Sequence, residues 1–390
     1  LVSTDGTRKW LVQPPNGGTS AVEMVYIPDA GAEDEDDVDM DRAPRTASRS
    51  PRASRVPARH LAGASVEDVL AGRAGGVHKR RRATLCVSSQ AGCSLACTFC
   101  HTGTQALSRN LSAADIVSQV WLARRRVREM QEREPALPHL SNIVFMGQGE
   151  PGFNWRAVST AIQILTDARG FGMSPRRITV STAGVAPIIP RIARETPGVR
   201  LAISLHAPTD ELRSRIMNVN TMYPIATLMA ACREYVQIRL AAVQEAKGGA
   251  VPALDSDAVP QLAHERVSDA HNSARRVRIT FEYVMLAGVN DTPGHALELS
   301  KLLLAHLPRS AVHINLIAFN AWPGSEYRGS SPDVIARFQG ALYRSGLRAH
   351  IRRSRGGDIL GACGQLKSAA ESKAAASRRA STVSKPAPEA

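Results

Sequence analysis

Three cysteines fall within eight residues in the spacing C-x3-C-x2-C: Cys93, Cys97 and Cys100. A run typical of a strand, residues 83–89, ends just before them, so the triplet is expected to occupy one loop at a strand end. Three thiolates in one loop can bind three irons of a cubane and leave the fourth iron open to an external ligand. The alternative is a zinc site completed by His101 or Cys86, although zinc sites favour C-x2-C pairs. The crowding predicts a metal centre in a reducing compartment.

The rest of this segment alternates strand patterns with helix patterns. Runs rich in β-branched residues predict strands at 83–89, 142–147, 176–182, 200–206, 277–286, 313–319 and 347–353. Apolar periodicity predicts helices at 112–134, 154–169, 209–217, 222–245, 294–306 and 332–345. The first of these begins with a capping box from Ser112 to Asp115. The alternation indicates an α/β fold with parallel strands, whose ligands gather at the carboxyl ends of the strands.

Composition divides the chain into unlike segments. Residues 1–28 contain an alternating run that predicts a strand. Residues 29–82 are an acidic run followed by Arg, Ser and Pro, a composition typical of disorder. Residues 83–366 are expected to form one core domain, interrupted by an insertion loop at 246–276. Residues 367–390 are rich in Ala, Ser, Lys and Pro and predict a disordered tail.

The charge of the chain limits the class of its partner. The 390 residues carry 49 Lys and Arg against 35 Asp and Glu, a formal net charge of +14. That excess favours a polyanion such as nucleic acid, unless the basic segments serve only for solvation. Aromatic residues are only 4% of the chain, which argues against RNA recognition by stacking on a sheet. The sequence contains no apolar run of eighteen residues, so we expect no membrane-spanning helix.

The order of the motifs resembles one enzyme family. Around the cysteine triplet stand Leu-Cys-Val-Ser-Ser-Gln-Ala-Gly-Cys at 85–93 and Phe-Cys-His-Thr-Gly-Thr-Gln at 99–105. Further motifs follow at 145–151 (FMGQGEP), 180–184 (VSTAG), 204–208 (SLHAP), 281–286 (FEYVML), 314–317 (INLI) and 362–366 (ACGQL). Together they cover about residues 83–368 apart from the insertion, and they resemble the dual-specificity rRNA/tRNA adenine methyltransferases RlmN and their relative Cfr.

The resemblance implies both the fold and the reaction. The fold would be a partial (β/α)6 barrel of the TIM type, as in the radical S-adenosylmethionine (SAM) superfamily, with a [4Fe–4S] cluster on the cysteine triplet. The reaction would be methylation of carbon 2 of an adenine in large-subunit (23S-type) rRNA, with tRNA as a further substrate and two SAM molecules per turnover. Carbon 2 is electrophilic, so a polar methyl transfer cannot reach it and radical chemistry from a cofactor is required. Methylation of carbon 8, as in Cfr, is the alternative.

Three residues outside the cluster carry the implied chemistry. Cys363, in the ACGQL motif, would accept a methyl group from the first SAM as a thiolate. Cys86 would resolve the protein–RNA adduct by forming a disulfide with Cys363. Glu23 would accept the proton from carbon 2. Taken alone, the three are typical of a buried strand residue (Cys86), a spare thiol (Cys363) and a solvated strand carboxylate (Glu23). Cys232 lies in a helical pattern without a motif and is expected to be structural.

A further set of residues is implied to bind SAM. The carboxylate of Glu150 would meet the cationic amino group of its methionine end in a charge-assisted hydrogen bond. The full set follows strand ends: Gly149, Glu150, Ser181, Ser204, Leu205, His206 and Asn320. Taken singly, a serine after a strand caps a turn more often than it binds a ligand, and His206 alone is typical of a core histidine.

The resemblance also implies partners and a location. The partners are large-subunit rRNA, tRNA and an electron donor such as flavodoxin or ferredoxin, with a monomeric enzyme and no membrane. Members of the family are cytoplasmic. The 29–82 insertion suggests a eukaryotic gene, and residues 101–119 resemble alphaproteobacterial members, which favours a mitochondrial or other organellar location. Since the sequence begins at Leu1 rather than Met, residues 1–28 are expected to end a longer N-terminal region. A non-catalytic RNA-binding protein and another radical SAM branch remain as alternatives.

Overall fold

The computed structural model describes residues 1–13, 21–29, 81–245 and 277–367. Its strands are β1 (Arg8–Val12), β2 (Val22–Pro28), β3 (Arg82–Cys86), β4 (Gln90–Ala91), β5 (Arg109–Asn110), β6 (His139–Phe145), β7 (Ile178–Thr182), β8 (Arg200–Ser204), β9 (Ile279–Met285), β10 (Val312–Ala318) and β11 (Ala349–Arg352). Its α-helices are α1 (Ala113–Gln131), α2 (Trp155–Thr166), α3 (Ile188–Glu195), α4 (Asp210–Ile216), α5 (Val219–Met222), α6 (Ile225–Glu245), α7 (Pro293–His306) and α8 (Pro332–Arg344). Short 3₁₀ turns lie at Thr102–Thr104, Pro151–Asn154, Pro175–Arg177, Arg309–Ala311 and Gly357–Ile359.

One sheet organises the molecule in the order β1-β2-β3-β6-β7-β8-β9-β10-β11. All neighbours from β3 to β11 pair in parallel, while β1, β2 and β3 pair antiparallel. The parallel strands are joined through helices, as βαβ units require. The expected α/β fold with a partial barrel is therefore confirmed, and an antiparallel hairpin, β1 with β2, is added at one edge.

The two faces of the parallel strands differ in polarity. On β10, Ile314 and Leu316 are fully buried in the main hydrophobic core, whereas His313 and Asn315 line the central cavity. On β9, Phe281 packs in that core while Glu282 lines the cavity. Since side chains alternate along a strand, one face builds the core against the helices and the other gives the barrel a polar interior.

Local signals set the element bounds well. The capping box predicted at the start of α1 is present, with Ser112 Oγ accepting from the Asp115 N–H and the Asp115 carboxylate accepting from the Ser112 N–H. The sequence patterns did not predict β1 or α3. Strand β1 opens with Arg8 and Lys9, which hide its alternation, and α3 contains Pro190, which its first turn tolerates because the first N–H groups of a helix have no partner within it.

The predicted insertions and tail lie largely outside the described residues. Of 29–82 only Asp29, Arg81 and Arg82 are described, of 367–390 only Lys367, and none of 246–276. The disorder predicted for 29–82 and 367–390 and the insertion loop predicted at 246–276 therefore stay predictions. In the part of the chain that the structure describes, no helix is both long enough and apolar enough to cross a bilayer.

Candidate functional site

The cysteine triplet lies in the cluster loop, which we define as residues 92–105, at the carboxyl end of the barrel. Gly92 opens it after β4 in the left-handed region at φ +78°, where a side chain would collide with the Ala106 carbonyl. The N–H of Cys100 donates to the Cys97 carbonyl at 3.1 Å, so these two cysteines share one turn. All three thiols are half-buried and free of disulfides.

The electrostatics of the triplet suit a cationic metal centre. Burial raises the pKa of Cys93 to about 12, and Cys100 adds to the shift. Burial also raises the pKa of Cys97 well above its usual range, with further contributions from Cys100 and Cys93. Three mutually repelling thiolates are stable here only if bound cations neutralise them. Among the described residues, no group of three or more His, Cys, Asp or Glu converges closely enough to hold a single metal ion.

A second loop carries Cys363 against the cluster loop. We call residues 356–367 the cysteine segment. The His101 N–H donates to the Gly364 carbonyl at 2.7 Å, and the Thr102 hydroxyl donates to the Leu366 carbonyl at 2.6 Å. The Asn320 side-chain amide donates to the Cys363 carbonyl at 3.1 Å. Two loops distant in sequence, the cluster loop and the loop after β10, therefore hold the backbone around Cys363.

One central cavity of about 940 Å³ brings the predicted cysteine pair together. Cys86, Asn320 and Cys363 all contribute to its lining. Burial raises the pKa of Cys86 to about 12, and the charge of Cys363 contributes to that shift, which places the two sulfurs within electrostatic range. Cys363 likewise raises the pKa of Cys100 after the larger effect of burial.

The cavity lining is strongly basic. Among the described residues that line it, the carboxylates are Asp29 and Glu282 alone. Its arginines are Arg82, Arg176, Arg177, Arg200, Arg239, Arg278, Arg352, Arg353 and Arg355. An excess of guanidinium groups around a cavity of this size suits a ligand that carries phosphates.

The first two predicted SAM contacts follow β6 and lie beneath the cluster loop. Gly149 has φ +93°, and a side chain there would collide with Gln90. Glu150 is buried and accepts from the Gly152 N–H, the Thr182 hydroxyl and the Ala183 N–H, each at 2.7 Å. Burial raises the pKa of Glu150, and these three donors oppose the shift. Its carboxylate thus holds the loops after β6 and β7 together, a local role that the resemblance did not predict.

The remaining predicted contacts follow β7, β8 and β10. Ser181 and Ser204 are half-buried near the ends of β7 and β8, and the Ser204 and Leu205 carbonyls accept from Arg213 at 3.3 and 3.2 Å. His206 adopts a left-handed φ of 60°, and its Nδ1 accepts from the Val284 N–H. Burial lowers the pKa of His206 to about 3, so its ring is neutral. Arg213, which the sequence analysis missed, orders these strand ends although it is fully buried.

Glu23 lies apart from the cavity lining of the described residues. It is buried on β2, and its backbone N–H donates to the Gln148 side chain at 2.9 Å. Its Oε2 accepts from the Lys367 N–H at 2.8 Å, and Lys9 pairs with Oε1 at 3.1 Å. The carboxylate thus contacts the cysteine segment and is not solvated. Lys9 and Gln148 were missed because no spacing pattern marks single polar residues that become buried.

An aromatic pair joins the cluster loop to the loop after β10. The rings of His101 and Trp322 stack with centroids 4.7 Å apart and planes 6° from parallel. The Trp322 indole N–H donates to the Phe99 carbonyl at 3.0 Å. Phe99 packs against the main hydrophobic core and meets the His206 ring edge-on.

Comparisons with known proteins agree with this geometry. The profile of the Radical SAM superfamily matches residues 87–243. The dual-specificity RNA methyltransferase RlmN of Phenylobacterium zucineum is 43% identical over 378 residues, covering 97% of this chain and 74% of the relative. RlmN of Azorhizobium caulinodans is 41% identical with the same shares covered. The crystal structure of a radical SAM methyltransferase from Sphaerobacter thermophilus superposes with a TM-score of 0.65 at 34% identity, covering 94% of this chain and 79% of the other.

The open parallel barrel with a cysteine triplet at its carboxyl end defines a radical SAM enzyme, the class that uses SAM and a [4Fe–4S] cluster. Within that class, the identity along nearly the whole chain decides the family. The chain belongs to the family of the dual-specificity RNA methyltransferases RlmN.

Proposed function

We propose that this chain methylates carbon 2 of an adenine in large-subunit rRNA, and also in tRNA, through a methyl group carried on Cys363. The proposal depends on membership of the RlmN family and on one observation above all. Cys86 and Cys363, which stand on β3 and in the cysteine segment, line the same cavity. A resolving thiol must reach the sulfur of the methyl-carrying thiol while the RNA is attached to it, and a shared cavity allows this.

The cysteine triplet would bind the cluster, which when bound supplies the electron that splits SAM and thereby the radical needed at carbon 2. Beside it, the loops after β6, β7, β8 and β10 would hold the two SAM molecules used in one turnover. Gly149 follows β6 and its backbone contacts Cys93 of the cluster loop, Asn320 follows β10 and contacts the cysteine segment, and Ser204 ends β8. The Cys363 carbonyl is fixed by Asn320, which would set the direction of its sulfur.

The protein's own groups would carry the remaining steps. The Cys363 thiolate attacks the methyl carbon of the first SAM, so a new carbon–sulfur bond forms and the bond to the sulfonium breaks, with a neutral thioether as the leaving group. The methyl group loses one hydrogen atom to the radical and its carbon then bonds to carbon 2 of the adenine. As the adduct gives its unpaired electron back to the oxidised cluster that the triplet would hold, Glu23 takes the proton of carbon 2. The Cys86 thiolate then attacks the Cys363 sulfur, so that an S–S bond forms and the carbon–sulfur bond breaks. The released carbon keeps the bonding pair and takes up one proton to become the methyl group.

The arginines at the carboxyl end of β11, Arg352, Arg353 and Arg355, line the cavity on the side of Cys363 and support an RNA substrate. Phosphate contacts by arginine give affinity that does not depend on base sequence and that weakens with salt. Residues 83–366 would form the catalytic domain, with a reduced flavodoxin or ferredoxin as the source of electrons and a monomer as the active form.

The deciding experiment is an assay of the anaerobically reconstituted protein on rRNA and tRNA prepared without this modification. The SAM supplied carries a fully deuterated methyl group, and the modified nucleosides are identified by mass spectrometry. We expect 2-methyladenosine that retains two deuterium atoms, because one is removed from the methyl-cysteine and replaced by a solvent proton. The removed deuterium should be found in 5′-deoxyadenosine.

Each other outcome has a definite meaning. A product that retains three deuterium atoms would exclude the methyl-cysteine route. Formation of 8-methyladenosine would assign the activity to the Cfr type instead. Cys363→Ala should form neither product, whereas Cys232→Ala, which removes a fully buried thiol on α6, should form the same product as the unaltered protein.

A further inference from the structure

Lys9 forms a buried ion pair with the proposed proton acceptor. Its Nζ lies 3.1 Å from Oε1 of Glu23, and the two side chains are only 10% and 7% exposed. The pair joins adjacent strands of the edge hairpin, in which β1 runs antiparallel to β2. Burying a lysine is costly unless its charge is paired, so the burial of Lys9 depends on the Glu23 carboxylate.

The same ammonium group also holds the cysteine segment. Lys9 Nζ donates to the Leu360 carbonyl at 3.1 Å, three residues before Cys363 in the chain. Neighbouring residues add to this contact: the Gly356 N–H donates to the Asp5 carboxylate at 2.8 Å, and the Thr4 N–H donates to the Asp358 carboxylate at 3.1 Å. The start of the described chain therefore forms a platform on which the cysteine segment rests.

The Glu23 carboxylate completes a closed arrangement. Its Oε2 accepts from the Lys367 N–H at 2.8 Å, at the other end of the cysteine segment. Lys9 thus contacts the segment before Cys363, and Glu23 contacts it after Cys363. Val25, Cys86 and Leu366 pack in a small hydrophobic cluster that fixes the same segment to β2 and β3.

We propose that Lys9 is a positioning residue: it holds the Glu23 carboxylate, which lies outside the cavity lining, against the cysteine segment, so that an adenine bonded at Cys363 comes next to the proton acceptor. The inference rests on the proposed function, because it assigns Lys9 to the proton-transfer step of that reaction. In that step the carbon 2–hydrogen bond breaks, its electron pair stays on the ring, and the proton passes to the Glu23 carboxylate, while the unpaired electron of the adduct returns to the oxidised cluster that the triplet would hold. Lys9 acts only through its contacts with Glu23 and the Leu360 carbonyl.

The charges around Glu23 give this alignment an electrostatic consequence. Burial raises the pKa of Glu23, and the positive charge of Lys9 opposes that shift. The other titratable groups nearby are Lys367, whose Nζ donates to the Thr104 hydroxyl, and His101, whose pKa both lysines help to lower after the larger effect of burial. Removing the Lys9 charge leaves burial less opposed, so a smaller fraction of Glu23 is ionised at neutral pH.

The test compares Lys9→Met with Lys9→Arg and with the control Arg8→Met in the reconstituted full chain. Arg8 lies next to Lys9 on β1 but pairs with Glu134 on the other side, at 2.7 Å. The iron content first shows whether each variant folds and binds the cluster. The mass of the protein after incubation with SAM then shows whether Cys363 has been methylated. Single-turnover rates are then measured on RNA with ordinary adenine and with adenine deuterated at carbon 2.

For Lys9→Met we expect normal methylation of Cys363 but a product-forming rate lower by about tenfold, a modest part of what general-base catalysis contributes. The rate on deuterated adenine should fall further, because proton removal becomes limiting, and the rise of rate with pH should move to higher pH. Lys9→Arg should recover most of the rate, and Arg8→Met should behave as the unaltered protein.

The outcomes separate this inference from the proposed function. If the unaltered protein forms no methyladenosine, the proposed function fails and Lys9 has no such step to serve. If the unaltered protein is active and Lys9→Met shows neither a greater isotope effect nor a moved pH profile, the positioning role of Lys9 is wrong. If Lys9→Met loses its iron, Lys9→Gln takes its place, because it keeps a donor for the Leu360 carbonyl but removes the charge beside Glu23. Lys9→Gln must then show the greater isotope effect and the moved pH profile, and an unchanged Lys9→Gln overturns the proposal.

Discussion

Asn320 and Cys363 are joined by a hydrogen bond of 3.1 Å from the Asn320 amide to the Cys363 carbonyl. The contact ties the loop after β10 to the cysteine segment at the residue that carries the proposed methyl group. A second bond strengthens the same junction, since the Gln365 amide donates to the Ala321 carbonyl at 2.6 Å. The direction of the Cys363 sulfur is therefore set by backbone contacts, and this suggests where substitutions will separate positioning from chemistry.

Asn320→Asp should slow the methylation of Cys363. The substitution keeps the size of the side chain but removes the donor, and a lost hydrogen bond of about 1 kcal/mol corresponds to roughly a fivefold slower reaction. The measurement is the mass of the protein after timed incubation with SAM. An unchanged rate in Asn320→Asp would show that this bond does not hold the sulfur in place.

Replacing any one of Cys93, Cys97 or Cys100 by Ala should abolish both the visible absorbance of the reconstituted cluster and RNA methylation. Each thiolate is expected to bind a separate iron, so two remaining ligands cannot hold the cubane firmly. Cys232→Ala is the matched control and should keep both properties. A variant of the triplet that retains cluster absorbance and activity would contradict the assignment.

Cys86→Ala should trap a covalent complex between the protein and RNA, whereas Cys363→Ala should form none. Gel electrophoresis under denaturing conditions, with ribonuclease digestion as the check, distinguishes the two. Trapping is expected because the adduct forms on Cys363 before Cys86 is needed. If Cys86→Ala releases methylated RNA at the normal rate, another group resolves the adduct.

Resolution by Cys86 should accelerate with pH. Burial raises the pKa of this thiol to about 12, and only the thiolate attacks a sulfur, so the reactive fraction rises about tenfold per pH unit below that value. Single-turnover product release between pH 7 and 9 should follow that slope until an earlier step limits it. If resolution limits the rate and the rate of product release still does not change with pH, a neighbouring base removes the proton of the Cys86 thiol.

Gly149→Ala should destabilise the protein more than Gly172→Ala. Both residues have positive φ, +93° and +61°, so both substitutions carry the cost of a left-handed alanine, about 1 kcal/mol. Only at Gly149 would the added carbon also collide with Gln90, whereas at Gly172 nothing lies within 4 Å. Urea unfolding of the two variants should therefore differ by about 1–3 kcal/mol, a typical cost of overpacking, and equal losses would contradict the collision.

The sequence patterns predicted much of the fold. Strands such as β9 and β10 and the capped start of α1 depend on short-range periodicity and on contacts three residues apart. The arginine lining was anticipated only as an excess of charge, because a sum of charges does not say which of them face a cavity. The missed helix α3 and strand β1 are short elements whose Pro or charged residues mask the period.

The sequence by itself determined the cysteine triplet, the parallel β/α units and the placement of each motif at a strand end. These follow from spacing within one loop or one element, which is a local property of the chain. Only the tertiary structure decided that Cys86 and Cys363 share a cavity and that Lys9 lies between Glu23 and the Leu360 carbonyl. Such contacts arise from strand pairing and from the docking of backbone groups far apart in the chain. No sequence pattern shows which backbone carbonyl a buried lysine will contact, because that contact depends on how distant parts of the chain pack together.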